Sequence, residues 1–420
     1  MQPLRGTKDI LPNEVKYWQK IYEIVKEILD NNNYSEIRTP LLESTSLFER
    51  SIGDFTDIVN KEMYSFNDQG QRNITLRPEG TAGIARAIIS NKLYLNNKIN
   101  RLWYMGPMFR YERPQKGRQR QFHQLGLECV GSAMPIADVE IIRLATTILK
   151  KLKLTDWVLE INSIGNTNER EKYIQDLSQY LRKYRNDLDT DSQNRLEDNP
   201  LRILDSKNLK TQEMLIEAPK LINYLGTTSK QHFNKICRQL NYLEIQYRIN
   251  EHLVRGLDYY NYTAFEVHTE NTKPKSTICG GGRYDELIQQ LGGPHIPAVG
   301  CAMGIERLIL ILKNKLEIRE NSKTIYIANS SINKSDLMWN VIQILDKYRL
   351  KLEVDLNHSN LKKQLKRANQ IGASICFIIG DNEITDKYIT VKWLNTGIQQ
   401  KIYLYQLESY LKYLKKNLNT

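Results

Sequence analysis

The chain has 420 residues, 40% hydrophobic and 26% charged, with a formal net charge of +12. That length exceeds one ordinary core and predicts two or three domains. It has no run of about 18 apolar residues, so no membrane span is expected, and the positive charge favours an anionic partner without identifying it.

The N-terminus, MQPLRGTKDILPNE, carries neither an apolar signal core nor an Arg/Ser-rich transit pattern. The expected compartment is the one in which the protein is made. The five cysteines, Cys129, Cys237, Cys279, Cys301 and Cys376, form no CxxC pair. They read as reduced, buried thiols. The six histidines are dispersed without HxxxH or HExxH spacing, so no protein-ligated transition metal is expected.

Residues 13–32 read as a helix, because Val15, Trp18, Ile21, Val25 and Ile28 recur at steps of three and four and Pro12 suits a first turn. Tyr34 to Leu42 reads as a strand ending near Pro40. Two strands, Leu102 to Phe109 and Gln121 to Val130, flank a cationic stretch, GPMFRYERPQKGRQRQFHQLG. Its middle holds Arg110, Arg113, Lys116, Arg118 and Arg120 against the single acid Glu112. Pro114 and Gly117 make it a loop. Ala137 to Leu152 reads as a second amphipathic helix and Trp157–Ile161 as a strand. Residues from about 166 to 245 are polar and helical in pattern, as an inserted helical domain would be. Strands follow at Ile245–Ile249 and Tyr259–His268, and Ala298 to Leu312 runs from a strand into a helix.

Lys315 to Lys323 reads as a linker. Beyond it strands (323–328, 350–356, 374–380) alternate with helices (Asp336–Tyr348, Leu361–Gln370), then two short strands and a helix Tyr405–Leu418. This alternation predicts a small α/β domain. From Lys323 to Thr420 there are 15 Lys/Arg against 8 Asp/Glu, so over half of the excess charge sits in under a quarter of the chain.

Five peptides carry candidate chemistry. Arg110 ends an apolar strand, where packing can fix a guanidinium suited to paired donation to phosphate. In TLRPEGT (75–81), Glu79 can hold an ammonium, although an acid there also suits a helix N-terminus. LVRGLDYYN (253–261) sets Arg255 beside Tyr259 and Tyr260 across Gly256. In CGGGRYD (279–285), Gly280, Gly281 and Gly282 permit close backbone approach, but the spacing is neither a P-loop nor GxGxxG. In GIERL (304–308), Arg307 lies in an apolar helix start and calls for an anionic partner.

Together these peptides resemble the class II histidyl-tRNA synthetase family, in that family's order. RTP ending at Pro40, the cationic stretch and GIERL look like the three class motifs. LVRGLDYYN, CGGGRYD and RPEGT are the more specific matches, and the resemblance spans nearly the whole chain. It implies an α+β fold, with a catalytic domain over 1–320 built on an antiparallel sheet, a helical insertion at about 166–245, and a C-terminal α/β anticodon-binding domain over 323–420. It also implies a homodimer with the first motif at the interface. The reaction would join ATP and L-histidine to histidyl-adenylate and pyrophosphate, then pass histidine to the 3′-terminal adenosine of tRNA(His).

The resemblance assigns roles residue by residue. Arg110 and Arg255 would act on the α-phosphate, Arg307 on the γ-phosphate, and Arg118 would also bind ATP. Mg²⁺ would accompany ATP, with no protein ligand assignable. Glu79 would take the substrate ammonium with Thr81 beside it, and Gln124 would place the carboxylate. Glu128, Tyr260 and Tyr284 would read the imidazole, near Tyr259 and Arg255, and Gly280, Gly281 and Gly282 would wall the pocket. Gln115, Lys116 and Arg120 would meet the tRNA acceptor end, and the basic C-terminal domain would meet phosphates near the anticodon. The rival is a non-catalytic, histidine-sensing regulatory relative of the same fold. That relative lacks the anticodon domain and keeps the motifs only in part. The bacterial cytoplasm is the expected compartment. The Asn-, Lys-, Ile- and Tyr-rich composition points to an AT-rich genome and also suits a plastid.

Overall fold

The computed structural model describes residues 1–53, 56–96, 98–114, 117–269, 277–313, 315, 324–331, 336–357 and 359–418. The chain divides into two compact units, Met1–Glu317 and Ile318–Thr420. No helix among the described residues is long and apolar enough to cross a membrane.

An eight-stranded sheet organises the first unit. Its order is Ser35–Glu36, Asn100–Phe109, Gln121–Val130, Ala298–Gly304, Thr277–Arg283, Asn261–Thr269, Trp157–Gly165 and Arg248–Ile249. The six central strands are antiparallel, and only the two short edge strands pair in parallel. The strands flanking the cationic stretch pair along their whole length, from Asn100 opposite Val130 to Phe109 opposite Gln121. Such a long hairpin is stiff, and it delivers Arg110 to a fixed place.

The strand expected over Tyr34–Leu42 is only two residues long. Ser35 and Glu36 pair with Leu102 and Trp103. After Ile37 the segment turns its acceptors to a side chain instead. Arg77 donates through Nη1 to the Thr39 carbonyl and hydroxyl, both at 3.1 Å. Pro40 has no N–H with which to extend a ladder. Leu42–Ser44 then joins a separate three-stranded sheet with Asn73–Leu76 and Tyr64–Asn67.

One layer of helices covers the back of the large sheet. Pro12–Asp30, Pro135–Lys151, Thr227–Tyr242 and Ile305–Leu312 contribute to a core holding Ile21, Val25, Ile142, Ile148, Phe233, Ile236, Leu308 and Leu312. Between Trp157–Gly165 and Arg248–Ile249 the chain forms the helices Thr167–Arg182, Thr190–Asp198, Leu209–Ile216 and Thr227–Tyr242. The first starts in a capping box, where Asn166 and Glu169 satisfy each other's backbone N–H. Tyr173, Leu177, Leu181 and Leu196 bury against Ile164 and Val254 on the front, near Tyr259, Tyr260 and Tyr284. The front face therefore lies between the sheet and this helical group.

The second unit is a five-stranded sheet in the order Leu352–Val354, Ile325–Asn329, Ile375–Ile379, Tyr388–Trp393, Gln399–Tyr403. The first three strands are parallel and the last two antiparallel. Helices Asp336–Lys347, Leu361–Gln370 and Leu404–Leu418 flank it. Val341, Leu345, Leu407, Leu411 and Leu414 close its core.

Candidate active site

One cavity of about 200 Å³ opens on the front of the large sheet. Glu79, Thr81, Arg110, Arg118, Gln124, Arg255, Tyr259, Tyr260, Gly280 and Arg307 all line it, although they come from five separate peptides. The hairpin, the strand Thr277–Arg283 and the strand-to-helix junction at Gly304 bring them together.

One end is cationic. Arg110 donates from Nε to the Pro78 carbonyl at 2.9 Å and lies over the Phe122 ring at 5.3 Å. Glu112 stands 3.8 Å from Arg110 and 3.5 Å from Arg118. Arg307 donates to the Thr277 carbonyl at 2.5 Å and to the Gly117 carbonyl at 3.4 Å. It has no carboxylate within ion-pair distance among the described residues. Burial lowers its pKa, and the nearby positive charges of Arg118 and Arg110 add to that against the pull of Glu112 and Glu266. A guanidinium stays protonated throughout, so the lowered pKa marks a cation held partly away from water, which a bound anion would stabilise.

Arg255 crosses the middle of the cavity. It is ion-paired with Glu266 and lies over the Tyr260 ring at 5.3 Å. Burial opposes its charge, but Glu266 and the two tyrosines outweigh that and raise its pKa. Gly280 makes room for it, because a Cβ there would stand 2.5 Å from Arg255 Nη1. The three glycines are not equivalent. A Cβ on Gly281 would meet the Gly300 carbonyl and Cys301 of the next strand, and one on Gly282 would meet Thr263 and Tyr260. Of the triplet, only Gly280 lines the cavity.

The other end is acidic and aromatic. Glu79 accepts the backbone N–H groups of Thr81 and Ala82, each at 2.7 Å, and so caps the helix Thr81–Ser90. The sequence allowed a cap or a ligand-facing acid, and here the capping acid also faces the cavity. Burial raises its pKa, and the two N–H donors and Arg110 oppose the rise. Behind Thr81, Glu128 is 1% exposed. It accepts the Thr81 hydroxyl at 3.0 Å and the Tyr284 hydroxyl at 2.5 Å. Its pKa is pushed up to about 8, first by burial. Tyr259, Tyr260 and Tyr284 cluster with ring centroids 4.6–6.4 Å apart. Gln124 Oε1 is buried with no hydrogen-bond partner among the described residues.

Local sequence pattern did not single out several lining residues. Glu266 breaks an apolar strand and pairs with Arg255. Glu306 accepts from the His123 backbone N–H at 2.9 Å and lies 2.8 Å from His123 Nδ1, across 183 positions of chain. The only local signal was a charge in an otherwise apolar run. Arg283, in the glycine peptide, is a core residue. Fully buried, it is paired with Asp138, reaches Asp285 at 3.1 Å, and donates to the Ser132 carbonyl at 2.7 Å. Arg120 is at the neck of the cationic loop, with its guanidinium 3.7 Å from the Tyr111 ring centroid. Gln115 and Lys116 lie outside the described residues.

Comparison with known proteins shows the family. Residues 6–308 match the family described as histidyl-tRNA synthetase, and residues 324–414 match the anticodon binding domain. The chain is 57% identical to the chloroplastic histidine–tRNA ligase of Gracilaria tenuistipitata var. liui, covering 99% of this chain and 98% of the relative. It is 52% identical to the histidine–tRNA ligase of Cyanothece sp., covering 95% and 93%. The apo histidyl-tRNA synthetase of S. aureus superposes with a TM-score of 0.81 at 35% identity, over 98% of this chain and 100% of that one. With a matched family model, a matched fold and near-complete coverage, the chain belongs to the histidyl-tRNA synthetase family.

Proposed function

We propose that this chain is a histidine–tRNA ligase whose two chemical steps share the cavity described above. The observation that carries this reading is the polarity of the cavity. Arg110, Arg118 and Arg307 gather at one end with Glu112 as the nearby acid, while Glu79, Thr81, Tyr259 and Tyr260 line the other, with Glu128 and Tyr284 buried behind them.

ATP lies with its triphosphate against the cationic end, Arg307 at the γ-phosphate and Arg110 at the α-phosphate. Histidine lies with its ammonium at Glu79 and Thr81, its carboxylate near Gln124, and its imidazole toward Glu128, Tyr260 and Tyr284. A histidine carboxylate oxygen attacks the α-phosphorus, the bond to the bridging oxygen breaks, and pyrophosphate leaves. Arg110 and Arg255 meet the charge that develops at phosphorus, and cations fixed beforehand need no reorganisation at that moment. A terminal ribose hydroxyl of tRNA(His) then attacks the carbonyl carbon, and AMP leaves with the electron pair of the broken anhydride. A pocket that hydrogen-bonds both ring nitrogens leaves buried groups unpaired with other amino acids, which can supply a discrimination of roughly 10⁴.

Mg²⁺ would accompany ATP and offset the charge of its phosphate oxygens. No group of three or more His, Cys, Asp or Glu among the described residues could hold a metal ion. Mg²⁺ commonly rests on phosphate oxygens and water with one or two carboxylates, and Glu266 and Glu306 are the candidates here. Gln115 and Lys116 are the proposed contacts to the tRNA acceptor end, and the basic second unit takes the anticodon arm. The enzyme works as a homodimer. The exposed Leu41, Leu42 and Phe66 beside the RTP segment favour an interface there. The chloroplastic relative at 57% identity favours the plastid over a bacterial cytoplasm.

Arg255→Ala tests the shared centre. It should cut histidine-dependent ATP–pyrophosphate exchange far more than histidine binding. Unchanged exchange removes Arg255 from the reaction.

A further inference from the structure

The cationic loop is closed at its neck by the Arg110 N–H donating to the Arg120 carbonyl at 2.9 Å. A second element holds that neck from outside. Residues 4–7 form a turn in which the Thr7 N–H and hydroxyl reach the Leu4 carbonyl at 2.9 and 2.8 Å. The Gly6 carbonyl, at the next bend, accepts the Arg120 N–H at 2.7 Å and the Gln121 N–H at 3.3 Å. Gly6 has φ +87°, and a Cβ on it would stand 2.7 Å from Arg120 Cγ. Both the backbone conformation and the space therefore require glycine.

Arg120 completes the grip with its side chain. The guanidinium stacks 3.7 Å from the Tyr111 ring centroid, and Nε points to the Glu112 carbonyl at 3.4 Å. Tyr111 is itself anchored, its N–H on the Glu62 carbonyl at 2.7 Å and its ring edge-on to Tyr64 at 5.7 Å. Further along the same N-terminal segment, Trp18 meets the His123 ring at 4.6 Å. The return strand is thus held at Arg120 and at His123, on either side of Phe122, the ring beneath Arg110.

We propose that the Leu4–Thr7 turn, Arg120 and Tyr111 form a clamp that fixes the neck of the cationic loop and so pre-places Arg110 and Arg118. Arg120 is then a positioning residue. The functional consequence rests on the reading that Arg110 and Arg118 meet the ATP triphosphate. The stack needs a planar guanidinium, so a lysine at 120 keeps the charge and loses the grip.

Two variants test the clamp, Arg120→Lys and Gly6→Val, with Arg110→Ala as reference. Trypsin cleavage within residues 113–118 of the unliganded enzyme should speed up in both variants. Misplaced guanidiniums should raise the ATP KM about tenfold in pyrophosphate exchange, with the histidine KM nearly unchanged. A wild-type cleavage rate in both variants overturns the clamp, whatever the loop binds. Faster cleavage with an unchanged ATP KM, where Arg110→Ala raises it, overturns the pre-placement. If Arg110→Ala also leaves the ATP KM unchanged, the phosphate reading fails, and faster cleavage then upholds the clamp alone. A raised tRNA KM with wild-type cleavage and ATP KM would make Arg120 an RNA contact and overturn the proposal.

Discussion

Glu128 receives one hydroxyl on each carboxylate oxygen, Thr81 at 3.0 Å and Tyr284 at 2.5 Å, with no cation paired to it among the described residues. Burial dominates its titration and Glu79 adds to it, lifting the pKa from 4.5 to about 8. Between those two values the folded chain holds a proton that the unfolded chain has lost. This group therefore makes stability fall as pH rises from about 4.5 to about 8. Glu128→Gln should flatten that slope in urea unfolding measured across the same range. Histidine binding at neutral pH should release a proton as the carboxyl ionises against the ligand. Calorimetry in buffers of different ionisation enthalpy should show that release shrink in Glu128→Gln. Equal release in the two proteins would remove Glu128 from the imidazole site.

Arg307 is a half-buried cation of the phosphate end with carbonyl oxygens as its hydrogen-bond partners. Glu112 and Glu266 offset its charge only in part, so its pKa stays lowered. Arg307→Ala should raise the ATP KM by roughly 10- to 100-fold, as expected when a charge-assisted contact to phosphate is lost. The histidine KM should hardly move. Steady-state exchange at varied ATP reads both.

Gly280 and Gly281 are neighbours with opposite surroundings. Gly280 faces the Arg255 guanidinium, and Gly281 faces the backbone of the adjoining strand at Gly300. Gly280→Ala should displace Arg255 and cut kcat while leaving the melting temperature near that of the parent. Gly281→Ala should force two paired strands apart and cost stability, by about 1–3 kcal/mol as overpacking does. Melting curves and exchange rates on the two variants separate the effects.

Arg283 shares its peptide with the pocket glycines but is wholly buried between Asp138 and Asp285. Arg283→Met should leave those carboxylates buried without their cation, a loss of about 3–5 kcal/mol. Any molecules that still fold should bind histidine normally. A histidine KM shift without a stability loss would contradict this assignment.

Much of the fold was legible because its signals are local. The two strands flanking the loop carry apolar runs bounded by Pro114 and Gly117, and they lie within two residues of their expected limits. The alternation beyond residue 323 likewise produced the second unit's strands and helices. Tyr34–Leu42 failed because Arg77, nearly forty positions later, takes the acceptors that a strand would have used. The site divides the same way. Residues set in unusual peptides, such as Arg255 beside Gly256, stood out. Pairings such as His123 with Glu306 span 183 positions and leave no periodic trace. Nor does sequence reveal that strand alternation turns Gly281 away from the cavity that Gly280 lines.

The most direct measurement is ATP–pyrophosphate exchange by the purified enzyme with each of the twenty amino acids in turn. Robust exchange is expected with histidine, abolished in Arg255→Ala, and background exchange with the others. Exchange with a different amino acid and none with histidine would contradict it.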